Sequence, residues 1–303
     1  MTETTGKTDF HYDGDTFQTW YLVKGDLKCG IRPLIVLHGG PGMTHHYCLP
    51  HVELNDRYHI PVVLYDQIGN GASTHLPDKS QEFWTTKLFM AELGNLLAFL
   101  EITDYDLLGH SWGGMLGVEW AATYAPKGLK YLAIISSPAS VELWIEAASM
   151  LVEGMGPDVA ETMKRHEKAG TTDDPEYQEA MGMYYKKHAN RLDPWPAEVT
   201  TSVKWTEDYP TVYHAMFGPS EASVTGTLKA WSSIEMLSKV GYPTLITNSS
   251  YDMAQDVCVA PFFEKLPNVN WVKFTEASHH PFWEEKDKYF EAVAAFLRQP
   301  MDL

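Results

Sequence analysis

Short apolar runs separated by turn residues recur along this chain. Several of them are apolar at consecutive positions instead of alternating, as in "LIVL" and "VVLY". Strands that are apolar on both faces are typical of parallel sheets covered by helices. The strands predicted in this way are Leu34–Leu37, Val62–Tyr65, Tyr105–Leu108, Tyr131–Ile135, Thr244–Thr247 and Trp271–Phe274. The segment "FHYDGDTFQTWYLVKG" instead predicts an N-terminal hairpin of antiparallel strands.

Helical patterns fall between these runs. The predicted helices are Trp84–Leu100, Trp112–Tyr124, Val257–Leu266 and Trp283–Leu297. Strand and helix therefore alternate, which predicts the α/β class with a mainly parallel sheet.

The alternation stops between the fourth and fifth of these parallel strands. Amphipathic helical patterns follow one another there, at Val141–Glu153, Val159–Lys168 and Pro175–Ala189, with shorter pieces up to Trp231. We predict a core domain formed by residues 1–138 and 239–303, and a helical cap formed by residues 139–238. The cap is expected over the carboxyl edge of the sheet, where ligands bind in such folds.

Composition and charge narrow the class of protein. The chain has 303 residues, 44% of them hydrophobic, which is enough for a large core. Its formal charge of −17 argues against nucleic acid or an anionic membrane as a partner. The three cysteines are odd in number and scattered, and the N-terminus lacks the pattern of a signal peptide. A cytoplasmic location is therefore expected, and the sequence does not indicate an oligomeric state.

The stretch "GHSWGG" contains the strongest chemical signal. Ser111 stands between an apolar strand and a helical run, with glycines on both sides. A strand that turns at once into a helix strains its corner residue, and small neighbours make room for it. This is the G-x-S-x-G nucleophile elbow of α/β-hydrolases, so Ser111 is the candidate nucleophile.

A serine nucleophile needs a histidine as base and an acid to orient that histidine. In this fold the chain order is serine, acid, histidine. Asp252 follows one strand directly and is favoured over Asp256, which is expected to begin a helix. The next strand is followed by His279 and His280, and position alone does not choose between them.

The tetrahedral intermediate also needs N–H donors for its oxyanion. One comes from the residue after the nucleophile, Trp112, and the other from a loop after an early strand. The glycine-rich loop "HGGPG" stands in that position. The nearby residues His45, His46 and His51 lack a partner at metal-ligand spacing, and a serine hydrolase needs neither metal nor cofactor.

Five motifs together resemble the proline iminopeptidase family of α/β-hydrolases, serine aminopeptidases that release N-terminal residues. They are "HGGPG", "YDQIGNGAS", "GHSWGGMLG", "YDMAQD" and "ASHHPFWEE". The similarity extends over nearly the whole chain and includes cap residues.

The resemblance implies a role for several site residues. It makes Ser111 the nucleophile, Asp252 the orienting acid and His279 the base. The oxyanion donors it implies are Gly40 and Trp112, and the substrate-binding residues are Glu221, Tyr213, Gly39 and Met253. Glu221 matches a family glutamate that pairs with the free α-amino group of the substrate.

Met253 stands where the family often places a second glutamate. A lost charged hydrogen bond is worth roughly 1.5–3 kcal/mol, so affinity for a free amino group is expected to fall by roughly tenfold to a hundredfold. The sequence predicts cleavage of the amide after an N-terminal amino acid, on a small molecule or short peptide. The alternatives are an esterase, lactonase or amidase for a small non-peptide substrate, and a non-catalytic ligand-binding protein on the same scaffold.

Overall fold

The computed structural model describes residues 2–220 and 223–300, which form an eight-stranded sheet flanked by helices. The strands are β1 Glu3–Tyr12, β2 Asp15–Lys24, β3 Leu34–Leu37, β4 Val62–Asp66, β5 Tyr105–His110, β6 Leu129–Ile135, β7 Thr244–Ser249 and β8 Val269–Phe274. Their order in the sheet is β1-β2-β4-β3-β5-β6-β7-β8. The pairs β1–β2 and β2–β4 are antiparallel and the others are parallel, so the predicted α/β-hydrolase class is confirmed.

Apolar residues on both faces explain why the central strands read as continuous apolar runs. All four residues of β3 are buried. Ile35 and Leu37 pack into one apolar cluster, whereas Leu34 and Val36 pack into a second cluster on the opposite face. Because side chains alternate along a strand, each central strand supplies both layers.

The N-terminal hairpin is longer than predicted. Asp13 and Gly14 form its turn with φ angles of 51° and 83°, and two positive φ angles match the twist of paired strands. Strand β1 begins at Glu3 because its backbone pairs with β2 as far as Lys24. Its N-terminal half is exposed and polar, so it gives no apolar signal.

Most of the observed helices match the helices predicted from the sequence. They are α1 Glu53–Tyr58, α2 Thr86–Phe99, α3 Trp112–Tyr124, α4 Val141–Glu153, α5 Pro157–Ala169, α6 Pro175–His188, α7 Ala197–Asp208, α8 Thr211–Met216, α9 Asp256–Lys265, α10 Pro281–Glu284 and α11 Lys286–Leu297. Helices α4 to α8 lie between β6 and β7, as expected, while the proposed cap boundaries at 139 and 238 stay a prediction. Among the described residues, no helix combines the length and apolar character needed to cross a bilayer.

The C-terminal helix was predicted as one element and is two. Glu285 separates α10 from α11 with φ −122° and ψ 49°, which is not helical. Its carboxylate accepts a hydrogen bond from the N–H of Glu276 at 2.8 Å. The preceding carboxylate, of Glu284, accepts from the N–H of Ser278 at 2.8 Å. These bonds fasten the junction to the loop before α10, and the break follows from contacts that helical periodicity does not encode.

Candidate active site

The junction between β5 and α3 is a sharp corner at Ser111. Its φ of 54° and ψ of −122° lie in a region that the backbone of residues other than glycine rarely adopts. A Cβ on Gly109 would lie 2.1 Å from the carbonyl oxygen of Gly113, and one on Gly113 would lie 2.1 Å from that of Leu37. Both positions therefore require glycine, which is the physical reason for the G-x-S-x-G pattern.

Asp252 and His279 meet although they are far apart in sequence. Asp252 follows β7 and His279 follows β8. The two residues are buried, and Nδ1 of His279 lies 2.7 Å from Oδ1 of Asp252. The carboxylate only accepts, so Nδ1 donates, and in the neutral ring Nε2 is left as the acceptor. That is the tautomer a general base requires.

The two alternative residues have other partners. Asp256 begins α9 and contacts Lys273 Nζ at 2.6 Å and the side-chain amide of Asn248 at 2.9 Å. The ring of His280 lies against Tyr47, with ring centroids 5.3 Å apart. Burial and the neighbouring His279 lower the pKa of His280 well below its usual value. The structure thus pairs Asp252 with His279 and gives Asp256 a place at a helix terminus.

The predicted oxyanion loop lies close to Ser111. A Cβ built on Gly39 would stand 3.0 Å from Cβ of Ser111. The N–H of Gly39 donates to the hydroxyl oxygen of Tyr47 at 2.5 Å, so this donor is already engaged. Gly40 and Trp112 both line the cavity beside Ser111, which favours their N–H groups as the oxyanion donors.

Gln67 connects the two halves of this oxyanion site. Its side-chain amide donates to the carbonyl of His38 at 3.1 Å, and its Oε1 accepts from the indole N–H of Trp112 at 2.8 Å. Its backbone N–H donates to Nε2 of His38 at 3.0 Å. The sequence signal was the motif "YDQIGNGAS", which carried the family resemblance without a role for any of its residues.

A cavity of about 460 Å³ opens at the carboxyl ends of the parallel strands. The predicted site residues that line it are Gly40, Ser111, Trp112, Tyr213, Met253 and His279. Its apolar wall includes Met43, Val141, Trp144, Met181, Trp195, Val199 and Phe217. Many of these come from helices α4 to α7 and the residues around them, so this helical segment and the sheet edge enclose the cavity together.

The remaining predicted substrate residues differ in their placement. Tyr213 on α8 packs against the oxyanion loop, with its Cβ 3.0 Å from the position of a Cβ on Gly42. Met253 is buried beside the Asp252 pair. Gly39 is bound by Tyr47, and its substrate-binding role stays a prediction. Glu221 lies outside the described residues, so its substrate-binding role stays a prediction.

The histidines considered as metal ligands have protein partners. Nδ1 of His45 lies 2.8 Å from Asp66, and that of His46 lies 2.9 Å from the hydroxyl of Thr44. His51 bonds Tyr289 at 2.9 Å.

A second group of possible ligands, His166, Asp174 and Glu176, has its ligand atoms within 4.8 Å of one another. The guanidinium of Arg165 lies 2.6 Å from the carboxylate of Glu176, so one of these three possible ligands is already paired with a cation. The expectation that the protein needs no metal stays a prediction.

Comparison with known proteins places this chain in a family. Residues 32–286 match the model of the alpha/beta hydrolase fold. The chain is 36% identical over 285 residues to a proline iminopeptidase of Saccharolobus solfataricus, covering 93% of this chain and 89% of that relative. It is 32% identical over 288 residues to one from Clostridium botulinum, covering 93% and 95%.

Two solved structures are similar to this chain over nearly its whole length. The proline iminopeptidase of Mycobacterium smegmatis superposes with a TM-score of 0.90 at 40% identity, over 97% of this chain and 98% of that one. The crystal structure of VinJ superposes with a TM-score of 0.92 at 41% identity, over 96% and 98%.

Proposed function

Because the chain belongs to the proline iminopeptidase family of alpha/beta hydrolases and is a hydrolase, we propose that it cleaves the amide after an N-terminal amino acid through an acyl-enzyme on Ser111. The observation that carries this proposal is the buried contact of Asp252 with His279 at 2.7 Å, with His279 and Ser111 lining the same cavity. The substrate is a small molecule or short peptide.

Each proposed step is assigned to one of these residues. The oxygen of Ser111 attacks the substrate carbonyl carbon while Nε2 of His279 takes the hydroxyl proton. The N–H groups of Gly40 and Trp112 stabilise the oxyanion. The C–N bond then breaks, and the leaving amine takes the proton from His279.

Water completes the cycle. It attacks the acyl-enzyme carbonyl, and His279 accepts its proton. The ester bond to Ser111 breaks, the serine oxygen recovers a proton from His279, and the amino acid leaves. Asp252 holds the ring and stabilises its charged form throughout.

Labelling with a fluorophosphonate tests the mechanism. We expect the probe to modify Ser111 in the native protein and to leave Ser111→Ala unmodified. Ser137→Ala is the matched control, because Ser137 is also buried and follows the neighbouring strand β6. An unlabelled native protein contradicts the mechanism and favours the ligand-binding alternative.

The reaction itself is tested by competition between substrates. We expect turnover of aminoacyl β-naphthylamides, with proline tested first, to exceed turnover of p-nitrophenyl esters. Ester turnover without any Ser111-dependent cleavage of aminoacyl amides contradicts the aminopeptidase proposal.

Met253 favours a second candidate, an esterase, lactonase or amidase for a neutral substrate. Its thioether is buried in the cavity wall where a carboxylate is expected to hold an ammonium group. An unpaired ammonium is costly to bury. Met253→Glu tests this candidate: for an aminopeptidase, the added charge is expected to lower KM for free-amine substrates by roughly tenfold to a hundredfold.

We also propose the cytoplasm as the location and expect neither nucleic acid nor an anionic membrane as a partner. The charge of −17 supports the second statement. The unpaired state of Cys29, Cys48 and Cys258 supports the first.

A further inference from the structure

A buried line of hydrogen bonds runs along the wall of the candidate site, where Tyr47 and His110 line the cavity. The N–H of Gly39 donates to the oxygen of Tyr47 at 2.5 Å. The hydroxyl of Tyr47 lies 2.8 Å from Nδ1 of His110, and Nε2 of His110 lies 2.7 Å from the carbonyl oxygen of His279. Tyr47 and His110 are each only 1% exposed.

The direction of every bond in this line is fixed by chemistry. The N–H of Gly39 only donates and the carbonyl of His279 only accepts. Nε2 of His110 therefore carries the proton, its Nδ1 accepts, and the hydroxyl of Tyr47 donates to it. Burial, with His279 and His280 nearby, lowers the pKa of His110 well below its usual value, so the ring stays neutral and keeps this pattern.

The line joins three loops that are remote in sequence. Gly39 follows β3, His110 ends β5 immediately before Ser111, and His279 follows β8. These loops supply the proposed oxyanion donor, nucleophile and base. Tyr47 is itself fixed, because its carbonyl accepts from the indole N–H of Trp283 at 2.8 Å.

We propose that Tyr47 and His110 are positioning residues that hold the oxyanion loop and the base in register with the nucleophile. The inference rests on the proposed roles of Ser111 and His279. Neither residue takes part in a proton transfer of the proposed mechanism. Their bonds set where Gly40 presents its N–H and where the backbone of His279 stands. Small displacements of such groups are costly, since a shift of about 1 Å can cost about a hundredfold in rate.

Tyr47→Phe is the main test, because it keeps the ring and removes only the hydroxyl. The matched control is Tyr289→Phe: Tyr289 is buried, its hydroxyl lies 2.9 Å from Nε2 of His51, and it does not line the cavity. Each variant loses one buried tyrosine–histidine hydrogen bond, and Tyr47→Phe also loses the bond from the N–H of Gly39, so its Tm is expected to fall at least as far as that of the control.

Activity is expected to separate the two variants. For Tyr47→Phe, kcat on proline β-naphthylamide and the rate of fluorophosphonate labelling are expected to fall roughly tenfold to a hundredfold, with KM within about twofold. For Tyr289→Phe both rates are expected to stay within about twofold. Equal losses in the two variants, or none in Tyr47→Phe, overturn the proposal.

A double-mutant cycle tests whether the two residues act as one unit. His110→Gln keeps a donor for the carbonyl of His279 but not the imidazole acceptor for Tyr47. The double variant is expected to lose little more than the worse single variant, whereas additive losses overturn the shared line. If His110→Gln does not fold, Tyr47→Phe and its control still decide. Failure of native Ser111 to label refutes the proposed function, whereas equal labelling of native protein and Tyr47→Phe refutes this inference alone.

Discussion

Ser111 stands in a strained conformation that the surrounding glycines allow. Gly113 approaches the carbonyl of Leu37 so closely that a Cβ would lie 2.1 Å from that oxygen. The strain is local and is offset by the helix and sheet on either side, which hold the corner in place. Its consequence is that Ser111 lines the cavity.

Gly113→Ala is therefore expected to destabilise the protein by at least about 2 kcal/mol, because backbone must move to admit the methyl group. Gly182→Ala is the control: Gly182 lies exposed within α6, and a Cβ there meets nothing within 4 Å. This control is expected to stabilise by roughly 0.5–1 kcal/mol, since alanine favours helix. Urea unfolding measures both, and a Gly113→Ala midpoint at or above that of the native protein contradicts the argument.

The two adjacent histidines are expected to differ sharply in their importance. His279→Ala removes the ring that binds Asp252, and kcat is expected to fall by at least about 10⁴-fold. His280→Ala is expected to cost less than about tenfold, because its ring lines the cavity and packs against Tyr47 instead of bonding Asp252. The rate of hydrolysis of an aminoacyl amide, with circular dichroism as the check on folding, measures the difference. The reverse order of losses identifies His280 as the base.

Sequence reasoning predicts that Ser111, Asp252 and the adjacent His279 and His280 lie at one edge of the sheet, since the carboxyl ends of neighbouring parallel strands converge in space. The choice between His279 and His280 depended on the family resemblance, because adjacent residues give no positional signal. Tyr47 and Gln67 were not assigned. Their contacts join loops that are distant in the chain, and no spacing of residue types records such contacts.

At the scale of elements, helix α2 carries a buried carboxyl group, that of Glu92, on its apolar face. Glu92 accepts the hydroxyl of Thr19 on β2 at 2.5 Å and the N–H of Ile68 at 2.9 Å. It thereby joins the helix, the hairpin and the loop after β4. Burial raises the pKa of Glu92 to about 8.

This pKa predicts a loss of stability toward alkaline pH. Between the unfolded value near 4.5 and the folded value of about 8, the folded state binds more protons. The free energy of unfolding therefore falls as pH rises through that window. Glu92→Gln is expected to remove this slope and to exceed the native protein in stability at pH 8, with the two similar near pH 5. Parallel pH profiles in urea unfolding contradict the prediction.

The elements themselves were predicted unevenly. The central strands were correct to within a few residues, because burial on both faces leaves an unmistakable apolar run. The predicted hairpin begins only at Phe10, because the N-terminal half of β1 faces solvent and gives no apolar signal. The sequence does not predict the break at Glu285, because it has no helix-breaking residue there. The helix is interrupted by hydrogen bonds from the preceding loop to carboxylates at the junction.

At the scale of the whole molecule, the helical segment and the sheet are connected through the oxyanion loop. The hydroxyl of Thr206 on α7 donates to the carbonyl of Gly42 at 2.9 Å. That of Ser202 on the same helix donates to the carbonyl of Thr44 at 3.2 Å. Residues that wall the cavity and residues that would bind the oxyanion thus share one packed unit.

Two buried histidines predict the response of the protein to acid. Burial lowers the pKa of His38 and of His51 to about 4. His38 accepts the N–H of Gln67, and His51 bonds Tyr289. Between pH 6.5 and about 4 the unfolded state binds more protons, so the free energy of unfolding falls as pH decreases through that window.

Each of these rings is expected to contribute a slope of up to about 1.4 kcal/mol per pH unit. Urea unfolding of the native protein between pH 4 and pH 7 measures the total slope. His51→Gln keeps a polar side chain near Tyr289 without a group that titrates in this window. It is expected to lower the slope by up to about 1.4 kcal/mol per pH unit, the contribution of one proton. His51 lies outside the cavity lining, so labelling of Ser111 by a fluorophosphonate at pH 7 is expected to persist in this variant. An unchanged slope in His51→Gln shows that acid acts on the protein through other groups.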